Sequence, residues 1–228
     1  MIVAQDLVKT YATGGAGGTP VLHGVDLHVR QGSFCTILGP SGSGKSTLLS
    51  CLSGLEPVDA GSVRVGGRDV HGMSRRERDA FRRDGIGFVF QDHNLIGDLT
   101  LLENIGLDRA VRPEVEQTAH AWGIGHVLHH FPAHCSGGQR QKAAILRALN
   151  KRSDVLFCDE PTGALDAASG RDVLTVLQDL SRTAGVTVVM ITHNEKVTAI
   201  SDHVVRLRDG RVTHETRPVP ADAREVDW

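Results

Sequence analysis

The chain has 228 residues, 40% of them hydrophobic, and carries 25 basic against 27 acidic side chains for a net charge of −2. That length suits one substantial α/β domain, and the even charge balance argues against nucleic acid or an anionic membrane surface as a partner. Cys35, Cys51, Cys135 and Cys158 form no C-x-x-C pair, which reads as a reducing compartment without disulfides. No apolar run approaches the roughly 18 residues of a spanning helix and no basic-then-apolar leader opens the chain, so a cytosolic protein is expected unless a partner holds it to a membrane.

Ile2 to Val8 reads as a first strand and the Gly-rich run Ala12 to Pro20 as a loop. Val25 to Arg30 alternates apolar with polar residues, the pattern of a half-buried strand. Phe34 to Leu38 is an apolar strand, and Leu48 to Leu52 a helix. Ser62 to Val70 predicts two short strands around Gly66-Gly67. Ser74-Arg75-Arg76-Glu77 has capping-box spacing and predicts a helix to about Arg83. Ile86 to Phe90 is another apolar strand, ending on Gln91. Thr100 to Glu103 repeats the capping box and opens a helix through about Leu107. Glu114 to Trp122 reads as a helix, Gly123 and Gly125 break it, and Val127 to Phe131 is read as a last turn before Pro132. Beyond Ser136-Gly137-Gly138, Gln139 to Asn150 is helical. Val155 to Cys158 is a buried strand, Ala168 to Ala184 a helix, Val186 to Ile191 a strand, and Val204 to Glu215 a hairpin turning at Asp209-Gly210. The tail from Thr216 to Trp228 is polar and reads as loosely held.

One stretch carries the strongest chemical signal. Gly39-Pro40-Ser41-Gly42-Ser43-Gly44-Lys45-Ser46-Thr47 fits G-x-x-x-x-G-K-[ST], with a strand before it and a helix after it. In that setting backbone N–H groups turn inward around phosphate oxygens and the helix start adds partial positive charge. Lys45 reaches the β- and γ-phosphates, and the Ser46 hydroxyl ligates Mg2+. Phosphoryl transfer to water also needs a metal-holding acid and a group that orients the water. Asp159, at the end of an apolar strand, has the Walker-B placement for Mg2+, and Glu160 beyond it is the candidate general base. His193 ends a third such strand; a lone histidine is more often a core or surface residue, and its place here makes it a candidate. Gln91 stands at a strand's carboxyl end, where open α/β sheets meet their ligands.

Cys135-Ser136-Gly137-Gly138-Gln139 resembles the LSGGQ signature of ATP-binding-cassette (ABC) proteins, and it precedes the Asp159-Glu160 strand as in that family. The resemblance covers about residues 2–215. It implies Gln91 as the Q-loop and a member of the metal set with Ser46 and Asp159, Ala164-Leu165-Asp166 as the D-loop, His193 as the switch histidine, and Tyr11 stacking on adenine. Gly87-Phe88-Val89-Phe90-Gln91, Asn94-Leu95, Leu99-Thr100, Glu103-Asn104-Ile105, Glu160-Pro161-Thr162-Gly163 and Arg206-Leu207-Arg208-Asp209-Gly210 look like the MacB/LolD-type branch, which powers export or mechanical transmission across a membrane. The implied fold is an α/β P-loop NTPase (RecA-like) core with a small antiparallel β subdomain and an inserted α-helical subdomain. About 1–90 and 151–215 form the core with its β subdomain, about 91–150 the helical part, and 216–228 a polar tail.

The same resemblance implies ATP and Mg2+ as cofactors and a head-to-tail homodimer. ATP is then held between the phosphate loop of one copy and Ser136, Gly137, Gly138, Gln139 and Asp166 of the other. It also implies a separately encoded transmembrane permease, with the chain peripheral on the cytoplasmic face of the plasma membrane. Two other readings stay open: an ATPase driving a membrane signalling or cell-division partner, and a soluble ATPase acting on DNA or ribosomes. The second lacks the long coiled coil or second cassette of such proteins. Cys135 stands where the family has Leu, a thiol whose oxidation could affect activity. The segment from Asp108 to His134 is shorter than in most of the branch and holds His120, His126, His129, His130 and His134. Their spacing matches no standard metal-ligand set and reads as polar surface.

Overall fold

A computed structural model describes residues 1–12 and 18–226. Strands β1 (Ile2–Ala12), β2 (Gly18–Val29), β4 (Ala60–Val65) and β5 (Arg68–Asp69) make an antiparallel sheet in the order β2-β1-β4-β5. A second sheet has the order β10 (Arg211–Thr216), β9 (His203–Arg208), β3 (Phe34–Leu38), β8 (Thr187–Thr192), β7 (Val155–Asp159) and β6 (Gly87–Val89). It is parallel throughout except for the β9–β10 hairpin.

The central strands are continuous apolar runs because both of their faces are covered. Cys35, Ile37, Phe157, Val189 and Ile191 point to one face, where they pack with the four-stranded sheet and with Leu48, Leu49 and Leu52 of helix α1 (Lys45–Leu52). Phe34, Leu156, Cys158, Val188 and Met190 point to the other, against Val173, Leu174 and Leu177 of α6 (Ala167–Ala184). A third core lies among α3 (Leu101–Ile105), α4 (Pro113–Ala121) and α5 (Gly137–Asn150), built on Leu101, Ile105, Val115, Ala119, Ala143 and Leu146. Two polar side chains, both buried, hold its loops. Asn104 bonds both ways with Ile96, and Asn150 accepts from Arg112 N and donates to the carbonyls of Ile105 and Ala110.

Several local expectations are corrected. β1 continues to Ala12 and β2 starts at Gly18, so Gly18 to Pro20 is strand; Thr10, Tyr11 and Ala12 pair with Pro20, Thr19 and Gly18. Residues 13–17 of the expected loop lie outside the described residues. Ladder bonds formed strand here, although no apolar alternation announced it. Helix α2 (Arg75–Ala80) keeps its capping box, but residues Phe81–Gly85 continue as a π-helical turn that buries Phe81 under Arg68. α3 stops at Ile105. The expected turn after Val127 is present, closed by His130 N donating to Val127 O at 2.9 Å, and 3₁₀ turns at Gly125–Val127 and Pro132–His134 flank it. α5 starts at Gly137 because Ser136 and Gln139 form a further capping box: Gln139 N donates to Ser136 Oγ and Ser136 N to Gln139 Oε1.

The tail expected to be loose is exposed as far as Val219 but docked from Pro220 to Ala223. Ala223 is fully buried and Ala221 N donates to Ala199 O at 2.8 Å. All four cysteines are free and buried. Burial raises the Cys135 thiol, as it does Cys51, which is pushed up to about 11. Cys135, where an oxidation-sensitive thiol is expected, is buried and its Sγ–H donates to Phe131 O at 3.4 Å.

Burial also lowers the pKa of His71, His93 and His203. His71 Nε2 donates to Cys51 O and His203 Nε2 to Glu215, while Nδ1 of both rings is buried without a partner. A second proton would leave a buried donor unpaired. The unfolded chain therefore binds more protons in the window just below the ordinary histidine value of about 6.5, and stability rises with pH through it. The urea midpoint should fall as pH is lowered from about 7.5 to about 5.5; a midpoint flat across that range would contradict this account.

Candidate nucleotide site

Parallel pairing sets where the loops leave the sheet. Leu38 pairs with Thr192 and Asp159 with Ile191, so Gly39, Glu160 and His193 all emerge at one edge. There Ser41, Gly42, Gly44, Lys45, Ser46, Thr47, Gln91, Glu160 and His193 line one cleft of about 760 Å3. Nine residues chosen on sequence thus meet around a single space. Val21 completes it and was not foreseen. It sits on β2 ahead of the alternating stretch that marked the strand, and pairing with β1 together with the His23 N–Gly210 O bond carries it to the phosphate loop.

The loop is held tightly. A β-carbon on Gly39 would lie 2.2 Å from Leu207 O, and Gly44, the N-cap of α1, has φ +97° and would press a β-carbon on Val21 O at 3.1 Å. Only glycine fits both. No side chain caps α1, so its first N–H groups face the cleft. Lys45 Nζ donates to the carbonyls of Gly39 (2.8 Å) and Pro40 (3.0 Å), keeping a buried ammonium against the loop. Gly39 and Pro40 line an adjoining groove with His193, and Ser43 is buried with its hydroxyl unpartnered.

Behind the cleft, Asp159 is half-buried. Burial raises its pKa first and the neighbouring Glu160 charge second, while Lys45 and a hydrogen bond from Ser46 oppose the rise. A divalent cation would relieve that strain, and an acid hydrogen-bonded to a hydroxyl at a phosphate site is a suitable oxygen donor set for Mg2+. Glu160 has φ +44°, a left-handed conformation costly for a side chain of this kind. It is pinned from both sides: its N–H donates to Ile191 O and its carbonyl accepts from Gly163 N. The conformation turns the carboxylate out of the strand, where His193 Nδ1 donates to Oε2 at 2.7 Å. Gln91 approaches the same turn, its Nε2 3.2 Å from where a Gly163 β-carbon would be.

The remaining chosen residues lie elsewhere. Ser136, Gly137, Gly138 and Gln139 open α5 and are absent from the cleft lining. They contact the segment that starts α6: a β-carbon on Gly137 would meet Leu165, one on Gly138 would meet Ser169, and Ser169 N donates to Asp166 Oδ1. Tyr11, 38% exposed near the end of β1, stacks under the Lys9 ammonium at 5.2 Å and also stays outside the lining. His120, His126, His129, His130 and His134 are all exposed. Among the described residues, no group of three or more His, Cys, Asp or Glu is arranged to hold a metal ion.

A family model described as ABC transporter matches residues 22–163, which span the phosphate loop, the signature and the paired acids. The chain belongs to the ABC transporter family. It is 41% identical over 224 residues to the macrolide export ATP-binding/permease protein MacB of Marinobacter nauticus, covering 95% of this chain and 34% of the relative. It is 41% identical over 220 residues to the lipoprotein-releasing system ATP-binding protein LolD 2 of Caulobacter vibrioides, covering 93% of this chain and 96% of the relative. The chain thus spans about a third of the MacB relative's length and nearly all of LolD 2. Among solved structures it matches the dimeric post-hydrolysis state of the cassette MJ0796 bound to ADP and Pi, with a TM-score of 0.85 and 34% identity over 95% of this chain and 98% of that one. The fold is the ABC nucleotide-binding fold, and the chain is an ATP-binding ABC ATPase.

If Glu160 takes a proton from water during hydrolysis, Glu160→Gln keeps the shape and removes the base. Turnover should then fall by about 10²- to 10⁴-fold while ATP still binds, read by phosphate release and nucleotide titration. Turnover within a few-fold of native would remove Glu160 from the chemistry.

Proposed function

We propose that the chain is the motor of an exporter or mechanotransmission complex, hydrolysing MgATP between two copies of itself beneath a transmembrane partner. The observation that carries this reading is the division of the site. The cleft around Lys45 and Glu160 is one half, and the start of α5 at Ser136, Gly137 and Gly138 is a second helix N-terminus outside it. One γ-phosphate in one chain has no use for both, and the related MJ0796 cassette is recorded as a dimer. Two copies set head to tail would place Ser136, Gly137 and Gly138 of one over the phosphates held by the other.

In this reading Lys45 and the loop N–H groups neutralise phosphate charge, and Ser46, Asp159 and Gln91 would hold Mg2+, which would supply further charge neutralisation. Glu160 orients and deprotonates the attacking water, with His193 holding its carboxylate through Nδ1–H. Tyr11 and Val21 meet the adenine.

A membrane partner is supported by a groove of about 390 Å3 between the six-stranded sheet and the helices. Leu55, Phe88, Phe90 and Leu107 line it, with Arg82, Arg147 and Lys151 among its charged groups. Leu55 and Leu107 are large apolar residues left exposed, as expected where a partner covers them. Among the described residues no helix is long and apolar enough to cross a membrane, and a relative named as the ATP-binding protein of a lipoprotein-releasing system supports a separate permease as the occupant. We place the chain at the cytoplasmic face of the inner membrane through that partner. Helices α3 to α5 form its coupling part.

Ser136→Arg should abolish ATP-driven dimerisation of Glu160→Gln, read by light scattering, while monomer nucleotide affinity stays native; unchanged dimerisation would count against the two-copy site. Affinity purification of Glu160→Gln with MgATP should bring down a polytopic membrane protein in comparable amount. Ribosomal or DNA-bound proteins without a membrane partner would replace the transport reading.

A further inference from the structure

After β10 the chain crosses back and lies along α6. Gln178, buried on that helix, donates from Nε2 to Ile200 O (3.0 Å) and Ala221 O (2.8 Å), and its Oε1 accepts from Ala223 N (2.9 Å). Ala221 N donates to Ala199 O at 2.8 Å. Arg182 donates to the carbonyls of Pro220 and Ala221, and Arg224 to Asp179 at 2.6 Å. Ala223 is buried in the same apolar cluster as Leu180, Val197 and Ile200.

Ala199 and Ile200 end a 3₁₀ segment, Glu195–Ile200, that opens on Asn194, the neighbour of His193. At its start Arg206 holds Glu195 with two bonds, of 2.6 and 2.7 Å. At its end the tail holds it. The His193 side chain is 67% exposed, so packing does not place the imidazole. Its position depends on the backbone it projects from and on the bond to Glu160. Gln178 makes the dependence specific, because one buried amide serves both the segment and the tail. With the tail displaced, its Oε1 and one N–H lose their partners, and a buried amide left short of partners pulls its surroundings into rearrangement.

We propose that residues 220–224 are a strap that positions the His193 segment for ATP hydrolysis, with Gln178, Ala221 and Ala223 as positioning residues. The proposal rests on the assignment of Glu160 and His193 made above. Helix α1 packs on the face of the sheet opposite to α6 and the strap, so the expected effect falls on turnover and not on nucleotide affinity.

Ala223→Asp places a carboxylate in the apolar cluster and should displace the strap. The expected result is kcat lowered about tenfold with KM for ATP within about twofold, since small misplacements of reacting groups are costly. Amide hydrogen exchange should quicken together at 196–200 and 221–224. Ala223→Gly, which keeps a small residue there, should retain native turnover. If Ala223→Asp does not fold, Arg182→Met combined with Arg224→Ala loosens the same strap from its exposed side and should move kcat and exchange in the same direction.

A folded variant with a released tail and native kcat overturns the strap, and so does a loss that falls on KM alone. His193→Ala measured alongside separates the two levels. Native turnover there removes His193 from the chemistry and the strap's role with it. An inactive His193→Ala beside a fully active loosened strap removes the strap alone.

Discussion

The register of the parallel strands is the constraint on which the site depends. With Leu38 opposite Thr192 and Asp159 opposite Ile191, each strand runs out of partners at the same edge, and the next residues are Gly39, His193 and Glu160. Because successive side chains alternate faces, a slip of one residue would send Cys35 and Ile37 to the face of α6 and carry Asp159 away from Ser46. Burial on both faces rules that out: every residue of β3 and β8 is buried, and each face has its own packed cluster. The chemistry inherits its geometry from hydrophobic packing beneath it.

At that edge the structure concentrates features that would be destabilising elsewhere. Two adjacent carboxylates stand beside one buried ammonium, Glu160 holds a left-handed backbone, and Ser43 buries a hydroxyl without a partner. The Glu160 backbone is held there by its bonds to Ile191 and Gly163, and such costly features gather at functional sites. The signature is organised on the opposite principle. Ser136 and Gln139 satisfy one another's backbone, so the start of α5 is rigid before anything binds. A preorganised surface costs less ordering when a partner binds it.

Order extends further from the site than hydropathy suggests. The tail lacks an apolar pattern, yet its carbonyls and N–H groups are taken up by Gln178, Arg182 and Ala199. Ala223 enters the core and Val226 packs against it. Backbone groups carry the docking, and they are the same in every sequence. The same reason hid the ends of β1 and β2, where Tyr11 pairs with Thr19 through the main chain.

The amino-acid sequence by itself determined the strands of the central sheet, the phosphate loop, the acid pair, the signature and the family. Those signals are local: an unbroken apolar run, a glycine spacing, a capping box or a polar residue at a strand end is written in adjacent residues. Only the tertiary structure decided that Val21 joins the cleft while Tyr11 and Ser136 stand outside it, that His193 bonds Glu160, that Cys135 is shielded, and that the tail grips the segment after His193. These depend on which distant main-chain and side-chain groups meet, and on how burial changes their protonation, neither of which leaves a periodic trace along the chain.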